Sequence, residues 1–501
     1  MHFQQLATQP VRHTNDSKTN IRTRLSSALE AESTAPESTV EFWSGPVVQL
    51  PYACLHHAFE AHAAEAPQRI AVRCGSMAMS YGQLDGAATR LATRLIELGV
   101  RPGDHVGLFL HRGIPMVVGM LAILKAGAAY VPQHVGVAPR RQLRHVIDTA
   151  QLRVVLTLAA LKGQIPLDGI TAIDIDTFVA EQETDSAPAS MSTTSLPTTA
   201  PDSPCFVLFT SGTTGMPNGV VVTHRNVCNI VHTTPGNLGI QPGTRVGQLL
   251  SIAFDMAAWE IWGCLSHGAT LLIRGKSIEE TARQADVIIA TPSILGSIER
   301  TRCERAKVVA VAGEPCPKPL ADEWSKGCTF YNSCGPTETT IVNTMQRYDR
   351  SSGSLNIGKP TPNNTVYVLD DDGAPCGIGE VGEMWAGGAC VTRGYLENDV
   401  LNRDRYRPDP FIRGGIMFRT RDLGRWTEDG ELEHFGRTDD QVKVRGFRVE
   451  LDSVSRTIES LPECIKAVTL KYDNRRLVSF VTPPTVDPEA AQGVVSEQLP
   501  Y

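Results

Sequence analysis

The stretch from Phe206 to Asn226, FVLFTSGTTGMPNGVVVTHRN, limits what this chain can fold into more than any other. It opens on the apolar run Phe206–Phe209, passes through serine, threonine and glycine, and resumes apolar residues at Val220–Val222. Short apolar runs bounded by glycine and polar turn residues predict buried strands. Glycine lets backbone amides approach an anion closely, and hydroxyl groups add donors for phosphate oxygens. The pattern therefore predicts a strand, a phosphate-binding loop and a second strand.

Two other interpretations of this loop are weaker. A run of serine, threonine and glycine can be a flexible linker, but linkers are not flanked by strands. A Walker-type phosphate loop needs Gly-Lys-Ser/Thr after its second glycine, and here Gly219 is followed by Val220. The loop is therefore expected to hold phosphates in a different way.

Composition narrows the class of protein. With 42% hydrophobic and 20% charged residues among 501, the chain has the make-up of a globular protein. A formal net charge of −7, without a block of lysine or arginine, argues against nucleic acid as a partner. The 12 cysteines form no Cys-x-x-Cys pair, which fits reduced thiols better than disulfides or a zinc site. The start lacks the apolar core of a signal peptide and nothing resembles a membrane span, so we predict a cytoplasmic protein.

Strand-like and helix-like segments alternate from Ile70 onward. The strand His105–Leu110, for example, precedes the helical pattern Ile114–Ala126. Helices of this length between strands predict parallel sheets covered by helices, which places the chain in the α/β class. Residues 1–45 are rich in Ser, Thr, Asn, Glu and Gln, and they predict a disordered lead.

The glycine loop closely resembles the phosphate loop of the adenylate-forming superfamily, especially the amino-acid adenylation domains of nonribosomal peptide synthetases. Further stretches that resemble motifs of these domains occur at residues 251–262, 329–340, 418–423 and 436–451. The resemblance implies a large N-terminal domain of helix-covered mixed and parallel sheets with a distorted β-barrel piece. A small, truncated α+β C-terminal subdomain would follow. The implied boundaries are 46–438 for the core and 439–501 for the subdomain, with Asp439 as the hinge.

Asp255 is a lone carboxylate within the apolar run 251–262. A buried carboxylate is unfavourable unless it has a partner, so it could cap the helix Ala257–Leu265. Alternatively, it could be the counter-ion of an ammonium group. The stretch resembles the Phe-Asp-x-Ser-x-Trp-Glu motif, in which the Asp binds the α-amino group of the substrate.

Glu338 follows Thr337 in a polar loop after a predicted strand, and a single loop Glu is often merely solvated. Carboxylates also suit Mg²⁺, which is held by one or two of them together with substrate phosphates. The stretch resembles the family motif Asn-x-Tyr-Gly-Pro-Thr-Glu, which implies metal binding by Glu338. Cys334 replaces the aromatic residue that packs on adenine.

The last two motifs concern the ribose and the hinge. Residues 418–423 resemble Tyr-Arg-Thr-Gly-Asp-Leu, which implies that Asp422 accepts hydrogen bonds from the ribose hydroxyls. Arg421 stands where the family has glycine, and it could crowd the site or form an ion pair with Asp422. Residues 436–451 could be a basic strand pair on the surface, but they resemble the hinge motif, in which Arg437 approaches the phosphates.

Carried over by these motifs, the implied site has three groups of residues. The catalytic residues would be Arg437, Glu338 and Thr210, with Glu338 as the metal ligand. The nucleotide would contact Thr210, Ser211, Gly212, Thr213, Thr214, Gly215, Gly313, Glu314, Asn332, Ser333, Cys334, Thr337, Asp422 and Arg437. The acyl pocket would be lined by Asp255, Met256, Trp259, Ile289, Ala310, Ala312, Ser333, Ile341 and Val342. Since most of these pocket residues are apolar, we predict a bulky apolar or aromatic amino acid.

The implied function is ATP- and Mg²⁺-dependent formation of an aminoacyl adenylate, followed by transfer to the phosphopantetheine thiol of a separate carrier protein. A carboxylate:CoA ligase is a second hypothesis, although Asp255 would then have no ammonium group to meet. A catalytically impaired remnant or binding module is the third. The family's phosphate-loop lysine is Asn218 here, and its C-terminal catalytic lysine would lie beyond Tyr501, with Lys443 a conceivable substitute.

Overall fold

A computed structural model describes residues 39–180, 195–212, 216–444, 447–473 and 476–499. The predicted disordered lead lies mostly outside this part of the chain. Its last residues, 39–45, are folded, because Trp43 packs edge-on against Tyr367 and its carbonyl accepts a hydrogen bond from the Val366 amide. Thr213, Thr214 and Gly215 of the predicted phosphate loop lie outside the described residues.

Within the described residues, the largest sheet has nine strands. Its centre is parallel and its edge strands are antiparallel. In spatial order the strands are Lys359–Pro360, Thr344–Arg347, Thr329–Cys334, Val308–Val311, Val287–Ala290, Arg245–Gln248, Thr270–Ile273, Ile70–Cys74 and Met77–Ser80. The inner strands read as continuous apolar runs because helices cover both faces of a parallel sheet.

A second sheet of six strands, again counted over the described residues, carries the glycine loop. Its order is Thr171–Asp174, Val154–Thr157, His105–Leu110, Ala129–His134, Pro204–Thr210 and Asn218–Thr223. All neighbours are parallel except the last pair, which is an antiparallel hairpin with Phe206 opposite Val222. The glycine loop is thus the turn of a hairpin at the edge of this sheet.

Helices pack on these sheets around one large apolar core and a second, smaller one. The helices of this part are Leu55–Glu65, Tyr81–Glu97, Ile114–Lys125, Arg140–Thr149, Ile175–Ala180, His224–His232, Asp255–Leu265, Ile278–Ala282, Pro292–Leu295, Lys318–Trp324 and Asp399–Arg405. Short 3₁₀ helices are Val40–Phe42, Ala159–Gln164, Arg300–Arg302 and Thr337–Thr339. Ser80 shows why one of them begins where it does, because it forms a capping box with Gln83 at the start of Tyr81–Glu97.

The predicted distorted β-barrel piece is an open antiparallel sheet. Its strands are Asn364–Leu369, Gly382–Gly388, Ile416–Trp426, Tyr406–Pro408 and Leu432–Arg437. The last of these pairs with Ile416–Trp426 and leads directly into the predicted hinge. The sheet therefore does not close on itself, and the barrel part of the prediction is corrected.

The small subdomain after the predicted hinge has a core of its own. It contains the antiparallel pairs Gln441–Val444 with Phe447–Glu450 and Lys466–Lys471 with Leu477–Thr482, and the helices Leu451–Glu459 and Pro488–Gln498. The architecture is thus a large helix-covered part followed by a small α+β part, as predicted. In the part of the chain that the structure describes, no helix is both long and apolar enough to cross a bilayer.

Candidate active site

The predicted site residues converge on a cavity of about 1020 Å³ between the ends of the two large sheets and the small subdomain. Arg112 joins the two sheets there, because its guanidinium donates to the side chain of Gln248 and to the carbonyl of Leu250, at 2.8 and 2.7 Å. Predicted residues that line the cavity are Thr210, Ser211, Gly212, Asp255, Met256, Ala312, Gly313, Glu314, Asn332, Ser333, Cys334, Thr337, Ile341, Asp422, Arg437 and Asp439. Carboxyl ends of parallel strands meet at such a crevice, which is the usual ligand site of α/β folds.

The glycine loop forms one wall of this cavity. Thr210 and Asn218 are opposite each other at the end of the hairpin. A Cβ at Gly212 would lie 2.5 Å from the Met216 carbonyl oxygen and 2.7 Å from the Asn218 amide nitrogen, so only glycine fits there. The buried hydroxyl of Ser211 has no hydrogen-bond partner among the described residues. A phosphate oxygen would satisfy that hydroxyl.

Asn218, in the position of the family's lysine, is held by a neighbour. Its amide oxygen accepts a hydrogen bond from the Asn398 side chain at 3.0 Å. The side chain therefore bridges two loops and packs over Gly212, but it brings no positive charge to the phosphate loop.

Asp255 faces the same cavity and does not cap its helix. It is the first residue of Asp255–Leu265, and Phe254 occupies the cap position without a side-chain hydrogen bond. Burial raises the pKa of Asp255 from 3.8 to about 6, against the opposing effects of the Thr337 hydroxyl and the Lys443 charge. A carboxylate with a raised pKa gains most from a cationic ligand, because burial has removed its hydration without supplying a strong partner.

The predicted acyl pocket is only partly open to the cavity. Trp259, Ile289, Ala310 and Val342 are buried in the apolar core and do not line the cavity. The Trp259 indole is fixed by a 2.7 Å hydrogen bond to the carbonyl of Gly236. The remaining predicted pocket residues, Asp255, Met256, Ala312, Ser333 and Ile341, line the cavity. Five of the nine predicted pocket residues therefore line the cavity, and the other four belong to the core behind it.

Asp422 and Arg437 form an ion-pair network that also lines the cavity. Arg437 Nη1 lies 2.7 Å from Asp422 Oδ1, and its other nitrogens donate to both oxygens of Asp439. His434 Nε2 lies 3.4 Å from Asp422 Oδ1. Burial would raise the pKa of Asp422, but the Arg437 charge and the His434 hydrogen bond outweigh it and hold the pKa well below its usual range. Asp422 is thus ionised, but it is already bound to protein cations.

Arg421 does not form the ion pair with Asp422 that the sequence suggested as one possibility. Its guanidinium extends away to Asp404, 2.8 Å from the carboxylate oxygen. Its backbone has φ of 63°, in the left-handed region that favours glycine. An arginine therefore adopts a backbone conformation here that favours glycine.

Glu338 is buried and has protein partners on its carboxylate. Arg448 Nη1 donates to its two oxygens at 3.0 and 2.9 Å, and the Tyr395 hydroxyl donates to Oε1 at 2.6 Å. The Glu338 side chain is 1% exposed and it does not line the cavity. Among the described residues there is also no cluster of three or more His, Cys, Asp or Glu side chains that could hold a metal ion. Glu338 does not fit a Mg²⁺ ion in this arrangement, because that ion needs room for waters and phosphates.

Four further residues predicted to contact the nucleotide line the cavity: Gly313, Glu314, Asn332 and Cys334. Cys334 ends the strand Thr329–Cys334, and Asn332 donates from its side chain to the Asn356 carbonyl at 2.6 Å. Glu314 accepts the Ser293 amide on one oxygen, while its other oxygen is buried without a partner within the described chain. Gly313 has φ of 88°, which a residue with a side chain would adopt only under strain.

Sequence reasoning did not single out four residues that shape the site: Arg112, Tyr395, His434 and Arg448. Arg448 lies within the hinge motif at residues 436–451, but nothing in that motif indicated its contact with Glu338. The contacts of Tyr395 and Arg448 with Glu338 join residues 57 and 110 positions apart, which no local pattern reveals. His434 gave no signal, because a single histidine in a strand has no distinguishing pattern.

Comparison with known proteins identifies a family. The family described as "AMP-binding enzyme" matches residues 59–396. Adenylate-forming reductase 03009 of Coprinopsis cinerea is 42% identical over 467 residues, which are 92% of this chain and 45% of that protein. Nonribosomal peptide synthetase 5 of Aspergillus fumigatus is 33% identical over 449 residues, 89% of this chain and 20% of that protein. This chain therefore spans less than half the length of either relative.

Solved structures show the same fold. An artificially fused adenylation–PCP di-domain, NpsA-ThdA from Klebsiella oxytoca, superposes with a TM-score of 0.79 at 21% identity. The match covers 91% of this chain and 92% of that one. The predicted order of a large N-terminal part and a small C-terminal part is confirmed by this similarity.

Proposed function

Because this chain belongs to the AMP-binding enzyme family, as an adenylate-forming enzyme of the nonribosomal peptide synthetase type, we propose that it activates an amino acid as its aminoacyl adenylate. One observation carries the proposal: Asp255 and the glycine-loop residues Thr210, Ser211 and Gly212 line the same cavity. A carboxylate suited to an ammonium group thus faces a loop suited to phosphates. An amino acid and ATP would meet between them.

The reaction follows from that arrangement. The substrate carboxylate attacks the α-phosphorus of ATP, a new C–O–P link forms, the bond to the β-phosphate breaks and pyrophosphate leaves. The Ser211 hydroxyl and the loop amides would stabilise the charge on the departing phosphates. Asp255 would hold the ammonium group and thereby fix the position of the attacking carboxylate.

The predicted bulky apolar or aromatic substrate side chain stays part of the proposal. Its apolar boundary would be Met256, Ala312 and Ile341, which line the cavity. The unpartnered Ser333 hydroxyl could accept a small polar group. Discrimination by such a pocket amounts to about 1–3 kcal/mol per methylene group.

A thiol would then accept the acyl group, with AMP as the leaving group. The di-domain architecture of the structural neighbour supports a carrier protein as the donor of that thiol. Similarity to an adenylate-forming reductase supports a second possibility for the final product, in which the activated acid is later reduced. Both possibilities share the adenylation step proposed here.

Pyrophosphate exchange with matched acids tests the proposal. Alanine would be compared with propionate, serine with 3-hydroxypropionate, and phenylalanine with 3-phenylpropionate, so that each pair differs only in the amine. We expect exchange with an amino acid and at least about 100-fold less with its partner, because the unpaired Asp255 would remain buried.

Other outcomes favour the competing hypotheses. Equal exchange with acids that lack the amine would contradict the role of Asp255 and favour a carboxylate:CoA ligase. Silence with every acid, together with measurable binding of an ATP analogue, would favour a remnant that keeps the fold without turnover. Exchange with alanine above phenylalanine would contradict the bulky substrate side chain while leaving adenylation intact.

A further inference from the structure

Two arginines that the proposed reaction does not use face the cavity where the two large sheets meet. Arg112 follows the strand His105–Leu110 of the six-stranded sheet, and Arg274 follows the strand Thr270–Ile273 of the nine-stranded sheet. Gln248 holds both of them. Its side-chain oxygen accepts a hydrogen bond from Arg112 Nε at 2.8 Å, and its carbonyl accepts one from the backbone amide of Arg274 at 3.2 Å. Because both side chains line the cavity, two guanidinium groups are anchored on one residue and face the same space.

The partners of these two guanidinium groups carry no negative charge. Arg112 donates to the side chain of Gln248 and to the carbonyls of Leu249 and Leu250, all of which are neutral. The Nε of Arg274 is buried and has no hydrogen-bond partner within the described part of the chain. Among those residues, no carboxylate forms an ion pair with either arginine. Their charges are therefore not balanced by direct contact.

Glu260 lies close enough to act on the charge of both arginines, but it does not compensate them. Its oxygens accept hydrogen bonds from the Leu249 amide at 2.7 Å and from the Gln248 side chain at 3.0 Å, and it does not line the cavity. Burial raises the pKa of Glu260 to about 8, so the carboxyl group is largely uncharged at pH 7. Burial and the Arg274 charge lower the pKa of Arg112 to about 10, which leaves it a cation at that pH. Two positive charges thus face the cavity without a negative one.

His134 adds an unused polar atom to the same surroundings. It ends the strand Ala129–His134 and lines the cavity, and its Nδ1 is buried without a partner among the residues that the structure describes. Burial, His111 and Arg112 together lower the pKa of His134, so the ring is neutral at pH 7. A neutral imidazole nitrogen can donate a hydrogen bond to an anion in the tautomer that carries its proton there.

An oxyanion is the ligand chemistry that fits these groups. A buried charge without a partner is unfavourable, and a bound anion would remove that cost. The planar guanidinium group matches two oxygens of a carboxylate or phosphate at once. We propose that Arg112 and Arg274 form an oxyanion-binding subsite of the cavity that takes a carboxylate or phosphate group. The subsite is built from segments other than the glycine loop, and it stands whether or not the proposed reaction occurs.

Titration with inorganic phosphate and with acetate, followed by calorimetry, tests the subsite. A saturating non-hydrolysable ATP analogue would occupy the nucleotide site, and chloride would keep the ionic strength constant. The proteins would be the wild type, Arg274→Gln, Arg274→Lys and Arg69→Gln. Arg69 is the matched control, because it is also half-buried with a guanidinium nitrogen unpartnered within the described chain, but it does not line the cavity.

We expect one oxyanion to bind to the wild type and to Arg69→Gln with the same affinity. Binding to Arg274→Gln should be at least about tenfold weaker, because a charged partner is lost, and Arg274→Lys should lie in between, because it keeps the charge without the planar group. Affinities of the wild type and Arg274→Gln within about twofold of each other would overturn the proposal. Absence of binding of both anions to the wild type would also overturn it.

Thermal unfolding separates a ligand site from a cation that merely supports the fold. Phosphate should raise the Tm of the wild type and of Arg69→Gln, but not that of Arg274→Gln, because a ligand stabilises only the protein that binds it. Equal shifts of Tm in the wild type and Arg274→Gln would contradict the proposal, even if the variant were less stable without phosphate.

The oxyanion could be a free ion or an acidic group of the amino-acid substrate, and pyrophosphate exchange distinguishes the two sources. This measurement, unlike the titrations, rests on the proposed function. If the group belongs to the substrate, kcat/KM should be at least about tenfold higher for 4-carboxyphenylalanine than for phenylalanine, and Arg274→Gln should remove that preference. No preference, together with phosphate binding that depends on Arg274, would identify a free ion. A preference that persists in Arg274→Gln would assign the recognition to another cation and contradict the proposal. If no acid supports exchange, the proposed function fails, but the titrations and the Tm shifts still decide the subsite.

Discussion

Asp255 and Asp422 line the same cavity, but their surroundings are opposite in character. Asp255 is half-buried with weak partners, and desolvation raises its pKa to about 6. Asp422 is buried against Arg437 and His434, and its pKa is held well below the usual range. One carboxylate is thus left for a cationic ligand, while the other is fixed by protein cations before any ligand arrives.

This difference suggests separate roles for the two carboxylates: Asp255 is available to bind a ligand, whereas Asp422 organises the structure around it. The Asp422 network fixes the strand that leads into the hinge, because Arg437 also holds Asp439 at 2.7 Å. Asp255 contributes little to the organisation of its surroundings and weakens the fold while it is unpaired. Substitutions at the two positions should therefore change stability in opposite directions, although both impair the proposed reaction.

The largest effect is expected for Asp422→Asn. Loss of the charge leaves Arg437 partly uncompensated, so the free energy of unfolding at pH 7 should fall by about 3 kcal/mol. Because the folded pKa of Asp422 lies below its unfolded value of about 3.9, this difference should be full above that pH and fade as pH falls below about 4. Urea unfolding at several pH values measures it.

A control distinguishes loss of the site from loss of stability. Asp286→Asn removes another buried carboxylate with an arginine partner, far from the cavity lining. It should also destabilise the protein, but calorimetric affinity for an ATP analogue should fall by at least about tenfold only in Asp422→Asn. Equal affinities in the two variants would contradict a role of Asp422 at the nucleotide.

Asp255→Asn should stabilise the protein. It should also abolish the preference of the enzyme for amino acids over matched acids that lack the amine. The raised pKa of Asp255 means that its ionised form is unfavourable in the folded state, so the neutral side chain should add about 1–3 kcal/mol to the free energy of unfolding at pH 7. For an amino acid substrate, kcat/KM of pyrophosphate exchange should fall about 100-fold.

The matched variant is Asp399→Asn, since Asp399 also opens a helix but is exposed. It should change the free energy of unfolding by no more than about 0.5 kcal/mol, and kcat/KM by no more than the corresponding activation free energy. A destabilised Asp255→Asn would show that Asp255 supports the fold and would break the contrast with Asp422.

The fall of kcat/KM at acidic pH should depend on protonation of Asp255 alone. For the amino acid substrate, kcat/KM should fall about tenfold per pH unit below about 6, because the protonated carboxyl no longer attracts the ammonium group. Asp422 should not contribute in this range, since its pKa lies far lower. A pH profile of pyrophosphate exchange measures this fall, and the same fall persisting in Asp255→Asn would assign it to another group.

Much of this fold was predictable because strands and helices follow local patterns. The strand His105–Leu110 has the predicted bounds, and the helix predicted at Ile114–Ala126 spans Ile114–Lys125. Convergence of Thr210, Asp255 and Asp422 on one cavity agrees with the motifs that suggested it. Such residues follow the ends of strands, and the topology of the fold brings those ends together.

What could not be predicted depends on contacts between distant segments. Glu338 and Arg448 are separated by 110 positions, and their contact depends on how the small subdomain is seated. Trp259 is apolar and has the helical spacing of a pocket residue, but the same pattern describes a core residue. Only packing around Gly236 decides that its indole lies in the core.

The smallest expected effect concerns Arg421, the neighbour of Asp422 in the chain. Its φ of 63° is unfavourable for any residue with a Cβ, and its guanidinium pairs with Asp404 rather than Asp422. Arg421→Gly and Arg421→Ala both remove that partly exposed ion pair, so comparing the two isolates the backbone. We expect the Gly variant to be about 1 kcal/mol more stable than the Ala variant in urea unfolding. Since neither touches the Asp422 network, both should bind an ATP analogue like the wild type.

Equal stability of the two variants would mean that the backbone relaxes at this position. A loss of nucleotide affinity in both variants would mean that the Arg421 charge supports Asp422 through space. The contrast between Asp422 and Asp255 would then depend on more than the direct contacts of each carboxylate.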